Sequence, residues 1–529
     1  MTEQKIKALL QRARHLYLKG QFDKAAEIWR RIKREDSPEQ YAKAQFNLGV
    51  ILREQGDTEG AIAAYRSITR EDSPKQYAKA QVNLGVALCK QKKAEEAIVI
   101  YRNITRKDSP EQYAKAQFNL GVVLLKQGKI KEAKQAFSNS RSVFYYQAES
   151  QLKILSCPPD SRSNLRQVYG VIKSIIETLF ISSDGGIAGE NPLKVAHYTR
   201  PSTAGKLIAG DPDKASPLRL STVKGTNDPT EGKILYGYLH KSCGLPSGVL
   251  DAEQESDSQA LAAFISCFTF NHDSLNQFRL YGKEDGLEAS GVSLVFGKRF
   301  FSAADPFAIM TVAPEREAFT ANNTIEDSRP ERADKTSQKK LDKLPLYRCI
   351  YLDPQSGYVS VAHRDKVTFY AEAWYGKKMA AHQDICKEAE KRWKKYQTKI
   401  NVLTGKVKED LSTLSEKIQS IATDAENNVW ETLAFILQPL RYLVKHAAFQ
   451  EEQECRMVYI GDLPEDERIH TEWENNQMYL EYAEPVRESL DKIYLSPGAE
   501  PYADFFKRKL RNLAKEGGIR RSQNPFRNK

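Results

Sequence analysis

DSPEQYAKAQFNLGV, residues 36–50, returns as DSPKQYAKAQVNLGV at 72–86 and as DSPEQYAKAQFNLGV at 108–122. The step is 36 residues each time. Other positions keep it: Ala25, Ala61, Ala97 and Ala133; Trp29, Tyr65, Tyr101 and Phe137; Gly49, Gly85 and Gly121. A fixed period of this length predicts stacked helical hairpins, each leaving an apolar face that only its neighbour can cover. Ser37-Pro38 reads as a helix start, serine as N-cap and proline in the first turn. Leu48 and Leu52 carry that helix's apolar stripe, and Gly49 lets the next helix come close. Gly56 breaks the chain into a turn. The second helix then sets Ala61 and Tyr65 against the first.

The order Leu-Gly, then Ala, then an aromatic resembles the tetratricopeptide repeat over roughly residues 3–140, with a period slightly longer than the usual ~34. The first repeat has Ala13 where later ones have glycine, as a cap would. The resemblance implies a concave face built from the first helices. Lys43, Asn47 and Arg53 would line it, with their counterparts Lys79, Asn83, Lys115 and Asn119. Lysine and asparagine repeated along a groove suit a protein or peptide partner bearing acidic groups. This is similar in part to the family's carboxylate clamp; the alternative is a plain solvated polar face.

At 529 residues the chain predicts two or three domains. Forty per cent apolar content is enough for real cores, and a net charge of +11 permits a nucleic-acid or other polyanionic partner without requiring one. The seven cysteines form no CxxC pair, which argues against a zinc ribbon and for a reducing compartment. The N-terminal stretch MTEQKIKALLQRARHLYLKG has no apolar signal core. No stretch reaches the ~18 apolar residues of a membrane span. The expectation is a cytoplasmic protein with no membrane contact. The motif GxxxxGK[ST] and its dinucleotide, hydrolase-elbow and HExxH counterparts do not occur, and the eight histidines are scattered, so no metal site is expected.

The fold expected is multidomain: an all-α solenoid over 1–156, a linker helix and Gly-rich turn over 157–190, and an α+β domain over 191–529. In the last, β-branched and aromatic runs alternate with turns. Strands are expected at 194–199, 217–222, 263–270, 292–297, 346–353, 455–461, 478–483 and 492–497, in a mixed or antiparallel sheet. Residues 321–345 read as a mobile loop and 380–446 as a helical insertion.

The order HYT (197–199), LRLS, NDPTE (227–231), CFT, YG and then KHAAFQEEQECR (445–456) resembles a bacterial family of unknown function. Its opening is similar to the ADP-ribosyltransferase superfamily. That resemblance implies NAD as substrate, bound by a first-strand polar residue, a stacking tyrosine and a late-strand glutamate that steadies the cationic transition state. Carried onto this chain, His197 would anchor the ribose, and Glu454 or Glu452 would be the catalytic carboxylate. Tyr198, Tyr281, Tyr236, Asn227, Asp228, Glu231, Arg279 and Arg456 would bind substrate or cofactor. Fusion of a partner-sensing solenoid to such an effector points, by analogy, to anti-phage defence or a toxin-like role. The competing readings are a non-enzymatic scaffold, which binds protein or nucleic acid, and a metal-dependent nuclease using Asp228, Glu231 and the late glutamates.

Overall fold

The computed structural model describes residues 3–181, 194–209, 215–223, 230–244, 261–284, 289–302, 305–310, 340–374, 382–421 and 425–524. The chain forms two compact units that divide between Ser156 and Cys157.

The first unit is a helical stack: α1 (Glu3–Leu18), α2 (Phe22–Arg30), α3 (Pro38–Glu54), α4 (Thr58–Arg66), α5 (Pro74–Lys90), α6 (Ala94–Asn103), α7 (Pro110–Lys126), α8 (Ile130–Ser140) and α9 (Tyr145–Ser156). The 36-residue period becomes repeated geometry. Ser37, Ser73 and Ser109 cap α3, α5 and α7 from extended backbone, each accepting from the N–H three residues on. Such a cap stabilises a helix by about 1 kcal/mol. The glycines at 49, 85 and 121 admit the rings of Tyr65, Tyr101 and Phe137. A Cβ there would sit 2.4–2.7 Å from ring carbons, well inside contact distance. In the first repeat Ala13 is buried together with Trp29. The hairpin turns need left-handed backbone, and Gly20, Gly56 and Gly128 supply it. The fourth member of that series is Lys92, held at φ 63° without glycine's freedom.

The second unit opens with α10 (Pro159–Leu179), β1 (Lys194–Thr199), α11 (Pro201–Leu207), β2 (Arg219–Thr222), α12 (Ile234–Cys243), β3 (Leu261–Thr269), α13 (Leu275–Tyr281) and β4 (Val292–Gly297). Then come β5 (Tyr347–Arg348), β6 (Ile350–Asp353), β7 (Tyr358–Val361), α14 (Lys366–Trp374), α15 (His382–Gln419), α16 (Asn427–Arg441) and β8 (Val444–His446). It closes with β9 (Glu454–Asp462), β10 (His470–Glu472), β11 (Gln477–Glu481), α17 (Val486–Ser489), β12 (Leu490–Leu495), α18 (Ala503–Lys509), α19 (Arg511–Lys515) and β13 (Ile519–Arg521).

The main sheet runs β10-β11-β2-β3-β1-β4-β12-β13. Its spine is β3 against β9, paired from Leu261↔Asp462 to Thr269↔Glu454. Both strands are buried along most of their length because both faces of this pair are covered, although β9 opens with the charged Glu454 and Arg456. Among the described strands of this sheet, β12 with β13 is a parallel pair and the others are antiparallel, so the sheet is mixed. A small second sheet, β7-β6-β8, adds a parallel pair.

Several expectations need correction. The helix in 157–190 is no linker. Leu165, Val168, Ile172, Ile175, Ile176 and Leu179 of α10 are fully buried, against α15 and α16. The Gly-rich turn that follows lies outside the described residues. The apolar run 346–353 is two strands, not one. Tyr347-Arg348 joins the main sheet through β9, and Ile350–Asp353 leaves for the small one. The helical insertion ends at Arg441, and Val444–His446 is a strand in register with β6. Of the expected loop 321–345, the part to 339 lies outside the described residues, but the rest is packed. Leu341 and Leu344 are buried, and Leu341 N–H donates to Glu481 O at 2.7 Å.

Candidate functional site

The chain KHAAFQEEQECR builds the polar centre of the second unit. Lys445 is the middle residue of β8, and a short 3-10 turn carries Ala447–Glu452. Gln453 then takes left-handed backbone at φ 47°, and β9 begins. That kink brings Glu452 and Glu454 to one cation: Lys445 Nζ lies 2.5 Å from Glu452 Oε2 and 2.7 Å from Glu454 Oε2. Two residues on, Arg456 Nε donates to Glu454 Oε1 at 2.7 Å. The fork of Arg456 meets both oxygens of Glu231 at 2.5 and 2.7 Å, and its Nη1 also donates to Tyr442 O. The result is one buried chain of alternating charge: Glu231, Arg456, Glu454, Lys445, Glu452.

Its electrostatics follow from burial and alternation. Burial pushes the Glu454 carboxyl up, but Arg456 and Lys445 overcome it and hold that group well below the usual range. Glu452 goes the other way, raised by burial and by its neighbour Glu454 despite Lys445. Cys267 stands opposite Arg456 across β3–β9, and burial together with Glu454 drives its thiol up, as burial does for Cys349. Neither thiol is poised as a thiolate nucleophile.

The residues expected of an NAD site are partly assembled. Glu231, Glu452, Glu454 and Arg456 meet directly. Tyr281, at the end of α13 and 38% exposed, lies within electrostatic reach of Glu452, Glu454 and Lys445, and its phenol is raised by partial burial and by those carboxylates. Tyr236 is buried on α12 beneath the Arg441 guanidinium, 4.7 Å from its ring centroid. Arg279 is exposed on α13. Asn227 and Asp228 lie outside the described residues.

His197 does not join Glu454. Its ring packs 5.6 Å from Phe268, and its cross-strand partner is Leu294; both belong to the large core on one face of the sheet. Glu454 and Arg456 alternate with Cys455 and Met457, which face that core, so they point the other way. His197 Nδ1 lies 2.9 Å from Cys267 O, and a carbonyl can only accept, so Nδ1 carries the proton. Burial lowers its pKa and keeps it neutral. Tyr198 shares the Glu454 face, but its hydroxyl donates to Asn271 O and accepts from Ser274 N–H, pinning the start of α13. It is a latch, not a free ligand.

The cluster also takes in Lys445, Tyr351 and Cys267, which the sequence pattern does not assign to it. The signal for Lys445 was there, at the head of the KHAAF motif. Tyr351 accepts from the Glu454 N–H at 2.7 Å, a contact made by a strand of the small sheet that no local pattern predicts.

On the first unit, the expected groove residues are in use. Lys43 pairs with Glu39 at 3.0 Å and Lys115 with Glu111 at 3.2 Å, while Lys79 is buried. Burial raises the phenols of Tyr65 and Tyr101, and the nearby Asn83 and Asn119 side chains offset only part of that. Asn47 is half-buried on α3. Asn83 and Asn119 therefore lie toward buried rings of the stack. Other contacts recur at the same step: Gln55–Asp23, Gln91–Glu59 and Gln127–Glu95 tie the end of each first helix to the preceding repeat.

The N-terminal unit is made of tetratricopeptide repeats: that family matches residues 10–76 and again 114–139. Among solved structures, the chain is similar to MamA at 21% identity and a TM-score of 0.24, over 27% of this chain and 81% of that one. No curated protein matches the chain. Among the described residues, no helix is long and apolar enough to cross a membrane.

Proposed function

We propose that this protein is an interaction scaffold: the tetratricopeptide repeats hold a protein partner, and the α+β unit is what they bring to it. The observation that carries this is the regularity of the first unit. Caps, glycine contacts and inter-repeat ties recur at one step, so α3, α5 and α7 pack in a row as a stiff platform. Stiff platforms bind without a large ordering cost. The seven free cysteines fit a reducing compartment such as the cytoplasm. The test is capture by immobilised full-length protein, wild type beside Lys43→Ala/Lys115→Ala. Proteins retained by wild type and lost from the double variant support the scaffold. An identical set on both would remove the first-helix face from the account.

A second reading is NAD-directed ADP-ribosyl transfer, in anti-phage defence. The juxtaposition of Tyr281 with Glu452 and Glu454 favours it: a partly exposed ring beside carboxylates is the pairing a nicotinamide riboside needs. Glu452, at the rim of the cluster, is then the working carboxylate, and Glu454 the fixed charge behind it. NAD consumption by the full chain, with lysate as acceptor, should vanish in Glu452→Gln. Turnover unchanged in that variant would end this reading. A nuclease is disfavoured because Glu231 and Glu454, the inner carboxylates it would need, are each held on a buried cationic side chain.

A further inference from the structure

Two junctions of the N-terminal stack use the same clip. Arg34 Nε lies 2.8 Å from Asp72 Oδ1, and Arg70 Nε lies 2.6 Å from Asp108 Oδ1. Each aspartate is nearly enclosed. Each also accepts from the backbone N–H and hydroxyl of Thr69 or Thr105. Both arginines lie over a tyrosine of the following helix, Tyr41 and Tyr77.

Arg106 is the next arginine at this step, in the loop between α6 and α7. It keeps its tyrosine, lying 5.4 Å from the Tyr113 ring centroid. The loop that would supply its acid, Arg-Ser-Val-Phe at 141–144, carries no carboxylate. Arg141 of that loop turns instead to Glu149 and to the ring of Tyr145. In place of an aspartate, Arg106 faces a cavity of about 470 Å³. Gln117, Asn139 and Leu120 line it, together with Arg102 and Glu132, which pair with each other.

We propose that this cavity takes an aspartate or glutamate side chain from an acidic segment of the partner protein. The inference rests on the scaffold reading and names the partner's chemistry. The chain itself shows what this arginine accepts, because the same residue grips an aspartate at both earlier junctions. A guanidinium fork matches a carboxylate in shape and charge. Asn139 donates to Gln117 Oε1, which leaves the Gln117 amide N–H groups to donate to the incoming oxygens. Leu120 offers apolar contact to the methylenes behind them. The site is set apart from the first-helix face that carries Lys43 and Lys115.

The probe is a capped peptide, TRKDSP, the chain's own segment 105–110, whose aspartate Arg70 holds. It is titrated against full-length protein carrying ¹⁵N-labelled arginine, beside its counterpart TRKNSP. The Arg106 Nε–Hε resonance is assigned by its loss in Arg106→Lys, a substitution at an exposed side chain that leaves the fold alone. The Arg106 resonance should shift saturably with TRKDSP and respond about tenfold more weakly to TRKNSP, the loss of one charge-assisted pair. A resonance unmoved by TRKDSP, or moved equally by both peptides, overturns the inference. This readout needs no captured partner. Empty capture experiments would therefore count against the scaffold alone, while the titration still judges the cavity.

Discussion

Arg456 joins three elements through one side chain. It binds Glu231 before α12, Glu454 on its own strand and the Tyr442 carbonyl after α16. Removing one partner of a buried pair leaves charge without compensation, and this costs more than the pair is worth. Glu231→Gln should therefore destabilise the second unit by about 3 kcal/mol in denaturant unfolding. Glu231→Gln/Arg456→Met should recover much of that loss; equal or additive damage would show that the cluster is held by something other than charge balance. Acid should act here too. Glu454 is depressed in the folded state, so its contribution is complete above the unfolded value of about 4.3 and is lost as pH falls through the folded one. Glu452, raised by burial, opposes this slope. Unfolding midpoints measured across acid pH should fall less steeply in Glu454→Gln than in wild type. The late glutamates and Arg456 were legible as a set because they crowd one strand entry, at 452–456. Their roles were not legible. Lys445 and Tyr351 reach them from another sheet, and strand alternation turns His197 away from them.

Among the elements, the hairpins of the first unit were readable because their constraints are local. A serine cap, a proline, a glycine under a ring and a glycine in a turn each act within one or two helices. Lys92 is the exception that tests this. It occupies the left-handed turn position where Gly20, Gly56 and Gly128 sit. A side chain there costs about 1 kcal/mol, so Lys92→Gly should raise the unfolding midpoint of the repeats by a similar amount. A drop would mean that the lysine side chain contributes more than the turn loses. The converse holds at Gly85. A Cβ there would stand 2.4 Å from the Tyr101 ring, so Gly85→Ala should destabilise by roughly 1–3 kcal/mol, and Tyr101→Leu should relieve part of it. In the second unit the long strands β1, β3, β4 and β9 were legible from their apolar runs. The short ones, β7, β8, β10 and β13, carry three or four residues each, some as polar as His-Thr-Glu and Ile-Arg-Arg, and exist only because a neighbouring strand offers an edge. Cys349 falls between two strands that part to different sheets, a division that no periodicity in 346–353 announces.

For the whole molecule, the two units carry different features. The first unit offers a regular surface and a cavity whose arginine has lost its internal aspartate. The second holds its charges inward, with Tyr281 at the edge. The central claim is that a partner docks on the repeats. It is tested most directly by placing a photo-crosslinking side chain at Lys43, on α3, and in a separate protein at Val367, which is 79% exposed on α14 of the second unit. Irradiation in cells should give a discrete adduct from position 43 and none from position 367. Adducts from 367 alone would contradict the account and move the docking surface to the α+β unit.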